Sequence, residues 1–293
     1  MVKKRLIYFI TALATITLQV LFILMSCSGY SGLECRLTSD GIAVDSNGHV
    51  YVHPLDVNPN PSQSIIKRII PSNSSSTPSV TAFAGGNQGY AEGNGTSAKF
   101  QGSVCMIFDS NDNLYTTDSD RIRKITPSGD VTTFLEDTNN ESYRSIVFDS
   151  QGNMFISTYS TSRILKYVPS SGSLTVFAGV GDGYSDGNGT TNARFYKPSK
   201  MVIDSNDNLY IADSYSRIRK ITPQGYVTTI AGPTSQLSNG STERGYTDGY
   251  GNSARFDWTS SVNVSLSIDS NDNLYVGERS QNRIRKIDLN WII

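Results

Sequence analysis

A chain of 293 residues with a formal net charge of −1 can build a single large domain that buries roughly three quarters of its unfolded surface, and it lacks the basic excess needed to neutralise nucleic-acid phosphates. Its 25 Gly, 16 Tyr and 37% hydrophobic content combine strand formers with turn formers and lean to an all-β fold. No acidic or basic tail is present.

Lys3, Lys4 and Arg5 precede an apolar run from Leu6 to Met25 that contains no charge. Residues 1–28 therefore read as a hydrophobic targeting helix, a signal peptide or a retained signal anchor, since about 20 residues also suffice to span a bilayer. The positive flank holds the N-terminus in the cytoplasm and sends the rest outside. The expected location is secreted or membrane-anchored, with membrane contact through this segment only. A lipidated Cys27 is the alternative, with Met25 a poor fit to a lipobox. Residues 29–40 form a linker.

Beyond the linker the chain repeats itself. A turn and strand appear as DSNGHVYV from Asp45, DSNDNLYTTD from Asp109, DSQGNMFIST from Asp149, DSNDNLYIAD from Asp204 and DSNDNLYVGE from Asp269. A further strand follows as IIKRII from Ile65, RIRKI from Arg121, RILKY from Arg163, and RIRKI again from Arg217 and Arg283. An outer strand comes next as SVTAFAG from Ser79, DVTTFLE from Asp130, LTVFAG from Leu174 and YVTTIAG from Tyr226, while the last copy ends in a stub, Trp291 to Ile293. Each segment is β-branched or aromatic and bounded by turn residues. Four-stranded units repeated in this way bury their apolar faces by stacking radially, which predicts a β-propeller of antiparallel blades. The repeats fall at residues 41–85, 103–135, 144–179, 199–232 and 264–293, within a domain of residues 41–293.

The succession of a strand ending in Asp, a Gly/Asp-Asn turn, apolar-Tyr-apolar and Arg-Ile-Arg-Lys-Ile resembles the NHL repeat. The resemblance implies a β-propeller; five copies give five blades, with the six-bladed ring common in that family as the alternative. Either residues 32–37 supply the outer edge that the last blade lacks, or the stub leaves a weak fifth blade.

Three long connections share one motif: NQGYAEGNGTSAKF from Asn87, GDGYSDGNGTTNARF from Gly181 and RGYTDGYGNSARF from Arg244. Their tyrosines and acids, Tyr90, Glu92, Tyr184, Asp186, Tyr246 and Asp248, are the candidate binding residues, aromatic faces beside a few convergent polar groups. The plainer reading makes the glycines turn formers, the Ala-base-Phe end a packing element, and each acid a local partner of Lys99, Arg194 or Arg255. The connection through Leu135 to Arg144 lacks the motif.

DSNDN opens like a calcium loop, but Leu114 and Leu209 stand where a glycine is needed and no bidentate acid follows, so a hairpin turn closed by Asp and Asn is expected. His49 and His53 are the only histidines, too few for the zinc lyase found among NHL-like propellers. The resemblance also brings calcium-dependent lactonases and a streptogramin lyase, and leaves a calcium hydrolase or lyase as the alternative to a binding or scaffold module. No Gly-x-Ser-x-Gly nucleophile or phosphate loop is present. The repeated Arg and Lys are expected to pack by their stems with their heads at the surface, not to bind RNA. No cofactor is called for, calcium apart. The expected partner is a protein or small extracellular ligand. Cys35 and Cys105 either form a disulfide or leave Cys105 a small core residue. Sequons at Asn73, Asn94, Asn140, Asn188, Asn239 and Asn263 make a glycoprotein permissible.

Overall fold

The computed structural model describes residues 41–53, 63–71, 77–214, 216–234, 244–258 and 264–288. The targeting helix, residues 29–40 with Cys35 and the expected closing strand, and the sequons at Asn73, Asn239 and Asn263 lie outside the described residues. Among those described, the fold is all-β, with single 3-10 turns the only helical pieces, and none is long and apolar enough to cross a membrane.

The strands form five antiparallel sheets, the blades of a β-propeller. The first holds β1 (Ile42–Val44), β2 (Val50–Val52), β3 (Gln63–Ile70) and β4 (Ser79–Asn87). The second is built on β6 (Ser103–Phe108), β7 (Leu114–Asp118), β8 (Arg121–Ile125) and β9 (Asp130–Glu136), with β5 (Gly93–Asn94) at its outer edge. The third comprises β10 (Tyr143–Phe148), β11 (Met154–Thr158), β12 (Arg163–Val168) and β13 (Ser173–Ala178). The fourth runs β15 (Met201–Ile203), β16 (Leu209–Asp213), β17 (Arg217–Ile221) and β18 (Tyr226–Ala231), with β14 (Gly187–Asn188) outermost. The fifth has three described strands, β19 (Val264–Ile268), β20 (Leu274–Glu278) and β21 (Arg283–Ile287).

Burial follows the place of a strand in its sheet. β7, β11 and β16 are buried at every position, which is why LYTTD, MFIST and LYIAD show no polar face: a strand covered on both sides reads as a continuous run. The outer strands β9 and β13 are exposed along much of their length.

The chain divides into two compact units, with the boundary inside the second sheet. In the unit holding residues 41–114 and 124–132, Tyr51 is wedged edge-on between Phe83 and Phe108 at 4.9 and 5.0 Å, over a core that includes Ile66, Phe100, Leu114 and Ile125. In the unit holding residues 115–123 and 133 onwards, the core gathers Tyr210, Ile218, Ile230, Phe256, Trp258, Leu274 and Val276. Buried Trp258 donates its indole N–H to the Asp213 carbonyl at 3.0 Å.

Candidate functional site

The repeated acidic turns come first, because a calcium site would have to be built from them. In the second repeat the Asp109 carboxylate accepts the backbone N–H groups of Asn111 and Asn113, both at 2.9 Å, and the Asn113 side-chain amide at 2.8 Å. Asp149, Asp204 and Asp269 do the same in their turns. In the first repeat the His49 ring stands in for the asparagine amide, its Nδ1 lying 2.8 Å from Asp45 Oδ2. These donors, the Asn273 amide foremost, hold the Asp269 carboxyl below its ordinary value. The carboxylates thus close hairpins, and no group of three or more His, Cys, Asp or Glu able to hold a metal occurs among the described residues. His53 is buried at the other end of β2, its Nε2 2.9 Å from Ser64 Oγ.

The long connections are straps, not loops confined to one face. Gly187 and Asn188 pair with Val227 and Tyr226 along the outer edge of the fourth sheet, and the Gly189 N–H reaches the Gly225 carbonyl in the turn at its far end at 2.8 Å. A Cβ on Gly189 would sit 2.7 Å from the Gly225 oxygen and 2.8 Å from Ala178 Cβ, so only glycine lets the strap lie this close. In the first unit, Gly93 and Asn94 pair with Val131 and Asp130 likewise. The Asn94 amide donates to Ser128 O at 3.2 Å and to Asp130 at 2.8 Å, and it leads the donors that hold the Asp130 carboxyl low. This sequon nitrogen is engaged in both bonds, although Asn94 is exposed, as are Asn140 and Asn188. Each strap ends in a buried anchor, Ala98 and Phe100, Ala193 and Phe195, or Ala254 and Phe256.

The acid in each strap was expected to pair with the base near its own end, and this is corrected for the fourth and fifth sheets. Arg194 instead caps the Asp182 carbonyl at 3.2 Å, and Arg255 the Asn252 carbonyl at 2.6 Å. The partner of Asp186 is Arg219, the middle cation of β17, at 2.8 Å. Arg219 is 0% exposed, so its head is not at the surface as expected. It also binds Asp213 at 3.0 Å and the carbonyls of Arg194 and Ser185 at 2.9 and 2.8 Å. In the fifth sheet Arg285 joins Asp248 at 2.5 Å, Glu278 at 3.3 Å, and the carbonyls of Arg255 and Thr247, both at 3.1 Å. A guanidinium suits this role because its planar fork serves two carboxylates and two carbonyls at once. In the second sheet Arg123 binds Asp118 at 3.1 Å with both side chains buried.

The clamp is a set of three residues: strap acid, middle arginine, and acid at the end of the neighbouring strand. The third sheet has none of them, since Leu165 and Thr158 occupy the two strand positions and the preceding connection lacks the motif. That joint presence and absence is the signal in the sequence that would have found Arg219 and Arg285.

The tyrosines part company. The Tyr184 ring lies under Arg217 at 3.8 Å and its hydroxyl is 3.2 Å from Thr229 Oγ1, so it belongs to the packing. Tyr90 and Tyr246 stay 47% and 44% exposed; Tyr246 is held by Arg283 across its ring at 4.6 Å and donates to Asp257 at 3.1 Å, and that bond raises its pKa. Cys105 is buried. Lys200, just ahead of β15, is buried, and desolvation lowers its pKa to about 8.

A family model described as Teneurin NHL domain matches residues 86–241, more than half of the chain. Teneurin-3 of Danio rerio is 28% identical over 160 residues, 49% of this chain, and the chain spans only 6% of that relative's length. Among solved structures, a protein of unknown function from Bacteroides thetaiotaomicron superposes with a TM-score of 0.62 at 21% identity, over 84% of this chain and 57% of that one. An auxiliary nutrient binding protein from Bacteroides ovatus also gives 0.62, at 22% identity, over 88% and 60%.

Proposed function

Because the chain belongs to the family of teneurin NHL domains, we propose that it is a binding or scaffold module of an exported protein, one that takes a protein or a small extracellular ligand and does not convert it. The observation that carries this reading is the commitment of the polar residues: the turn carboxylates and the clamps are tied into fixed internal bonds, while Tyr90 and Tyr246 on the straps stay nearly half exposed. Groups fixed in this way hold a shape, and exposed tyrosines offer contact area at low entropic cost. The fold shared with a protein named for nutrient binding adds support. Residues 1–28 would carry the domain out of the cytoplasm, secreted or anchored, and in a glycosylating host Asn140 and Asn188 would be the described acceptors rather than Asn94.

The test presents the full chain to arrays of extracellular proteins and glycans. Binding is expected, and it should fall about tenfold, ~1.4 kcal/mol, in a Tyr90→Ser/Tyr246→Ser variant whose thermal midpoint is unchanged. Turnover of a lactone panel that depends on added calcium would overturn this reading in favour of a propeller hydrolase.

A further inference from the structure

Cations lie over aromatic rings at several places in this fold, and in two of them an acid completes the set. Lys166 lies over Phe155 and Phe177 at 5.0 and 5.8 Å, with Asp149 3.7 Å away. Arg285 lies over Phe256 at 5.1 Å, with Glu278 at 3.3 Å. Where the third sheet meets the segment leading into the fourth, the arrangement differs. Arg144 stands over the Tyr159 ring at 4.7 Å, and the Lys197 amine lies 5.0 Å from the same ring and 5.3 Å from that of Tyr196. Among the described residues, these tyrosines are the side-chain partners of both cations.

Irregular backbone sets both of them. β10 pairs with β11 through Tyr143 opposite Thr158 and Ser145 opposite Ser157, so Arg144 is the bulged residue between them, and a bulge re-aims the side chain it carries. Buried as far as Nε, Arg144 keeps part of its surface in solvent. Lys197 has a φ of 50°, in the left-handed region, although it carries a side chain and precedes Pro198. Its N–H donates to Ser162 Oγ at 3.0 Å and its carbonyl accepts the Ser214 hydroxyl at 2.9 Å. The two charges stand about 10 Å apart at most, near enough to repel at a half-buried surface. The acids bonded to these loops are committed elsewhere: Glu141 to Thr161 and Arg163, Asp182 to Ser162, and Asp213 to Arg219 at 3.0 Å.

We propose that Arg144 and Lys197 form a site for the oxyanion of a small extracellular ligand, a carboxylate or a phosphate held between guanidinium and ammonium. The guanidinium fork matches two oxygens of such a group, and the ammonium adds a point charge. The phenol oxygens of Tyr159 and then Tyr196 raise the Lys197 pKa, so its charge is present throughout the neutral range. The anion removes the repulsion between the two cations and supplies the counter-charge that Asp149 gives Lys166 and Glu278 gives Arg285.

This rests on the reading of the chain as a binding module, and its probes are chosen to fail separately. The full chain at low ionic strength is titrated by calorimetry with glucuronate, with inorganic phosphate and with neutral glucose. Saturable binding of at least one anion is expected and none of glucose, and the anion that binds tells a carboxylate source from a phosphate source. Affinity should fall about tenfold, ~1.4 kcal/mol, in Arg144→Gln and in Lys197→Gln. It should stay unchanged in Lys166→Gln, whose cation already has Asp149. Lys197→Gly separates binding from packing: glycine relieves the left-handed backbone, so the thermal midpoint should hold or rise while affinity for the anion falls. Binding of neither anion, glucose bound as tightly as glucuronate, or affinity indifferent to both Arg144→Gln and Lys197→Gly overturns the proposal. So does a loss in Lys166→Gln as large as in Lys197→Gln, which would make the effect one of net charge. Array binding that persists while both anions fail would overturn this site alone and leave the broader reading standing.

Discussion

In the fourth sheet Arg219 is 0% exposed and its strap acid, Asp186, 37% exposed, with β18 laid across them. In the fifth, Arg285 is 13% and Asp248 91% exposed. The strap acid and the arginine are the same, and the strand-end acid is Asp213 in one sheet and Glu278 in the other; the strap acid sits under β18 in the fourth sheet and in water in the fifth. An ion pair taken out of water is costly to disturb, because removing one partner strands the other in a medium that cannot solvate it. A solvated carboxylate loses little when its partner goes. One sequence motif therefore serves as a buried joint in one sheet and as a solvated one in the next.

The largest expected effect tests that difference directly. Arg219→Met keeps apolar volume but leaves buried Asp213 without its cation, and should cost roughly 3–5 kcal/mol in urea unfolding. Arg285→Met strands Glu278, which is as buried as Asp213, and each of these acids keeps one backbone N–H, from Asp257 at 2.8 Å and from Tyr196 at 3.2 Å. The difference lies in the solvated strap acid, so Arg285→Met should cost about 1 kcal/mol less. Equal losses would mean that burial by the outer strand does not set the strength of the clamp.

Lys200 sharpens the comparison from the inner side of the fourth sheet, because Ser265 holds its place in the fifth and has no charge to desolvate. Burial lowers the Lys200 pKa from 10.5 to about 8. Below about pH 8 the amine is protonated in both folded and unfolded chains, and folding bears the full desolvation cost. Between about 8 and 10.5 the unfolded chain holds a proton that the folded chain has released, so stability rises with pH; above that window the cost is gone. The interval corresponds to ~3 kcal/mol. Lys200→Met should raise stability at neutral pH by an amount of this order and flatten the rise across the window, whereas Ser265→Ala should leave the pH profile unchanged. A wild-type profile flat from pH 8 to 10.5 would refute the assignment.

How much of this could be read beforehand depends on how far apart the interacting residues stand in the chain. The turns were legible because Asp109 and Asn113, or Asp204 and Asn208, are four residues apart and their chemistry is contained within that span. The strand order followed from turns of that kind. The clamp was not read, because Asp186 and Arg219 lie 33 residues apart and meet only once β14 has docked on the edge of β18. Local reasoning offered Arg194 as the nearer base, and it treated the alternating cations of RIRKI as stems with surface heads. That reading suits Lys286, which is exposed, and fails for Arg219, which is sealed. Nor did the local pattern distinguish Tyr184 from Tyr246, since Arg217 covers one ring at 3.8 Å and the other remains 44% exposed.

The smallest effect concerns the stitches between these sheets, where backbone cost and hydrogen bonding oppose each other. Asp207 and Asp272 occupy the same turn position with φ of 61° and 60°, a left-handed conformation filled by Gly48 and Gly152 in the first and third repeats. The carboxylates compensate. Asp272 accepts the Ser205 N–H at 3.1 Å and hydroxyl at 2.5 Å, tying the fifth sheet to the fourth, and Asp207 accepts the same groups of Ser150 at 2.9 and 2.6 Å, tying the fourth to the third. Alanine removes the stitch and keeps the backbone penalty, so Asp272→Ala should cost about 1–2 kcal/mol. Glycine removes the stitch and relieves the backbone, so Asp272→Gly should recover about 1 kcal/mol of that loss. Because the fifth sheet has no described outer strand to hold it, amide exchange in β19 and β20 should accelerate more in Asp272→Ala than exchange in β15 and β16 does in Asp207→Ala. Equal acceleration would show that the two stitches hold their sheets equally.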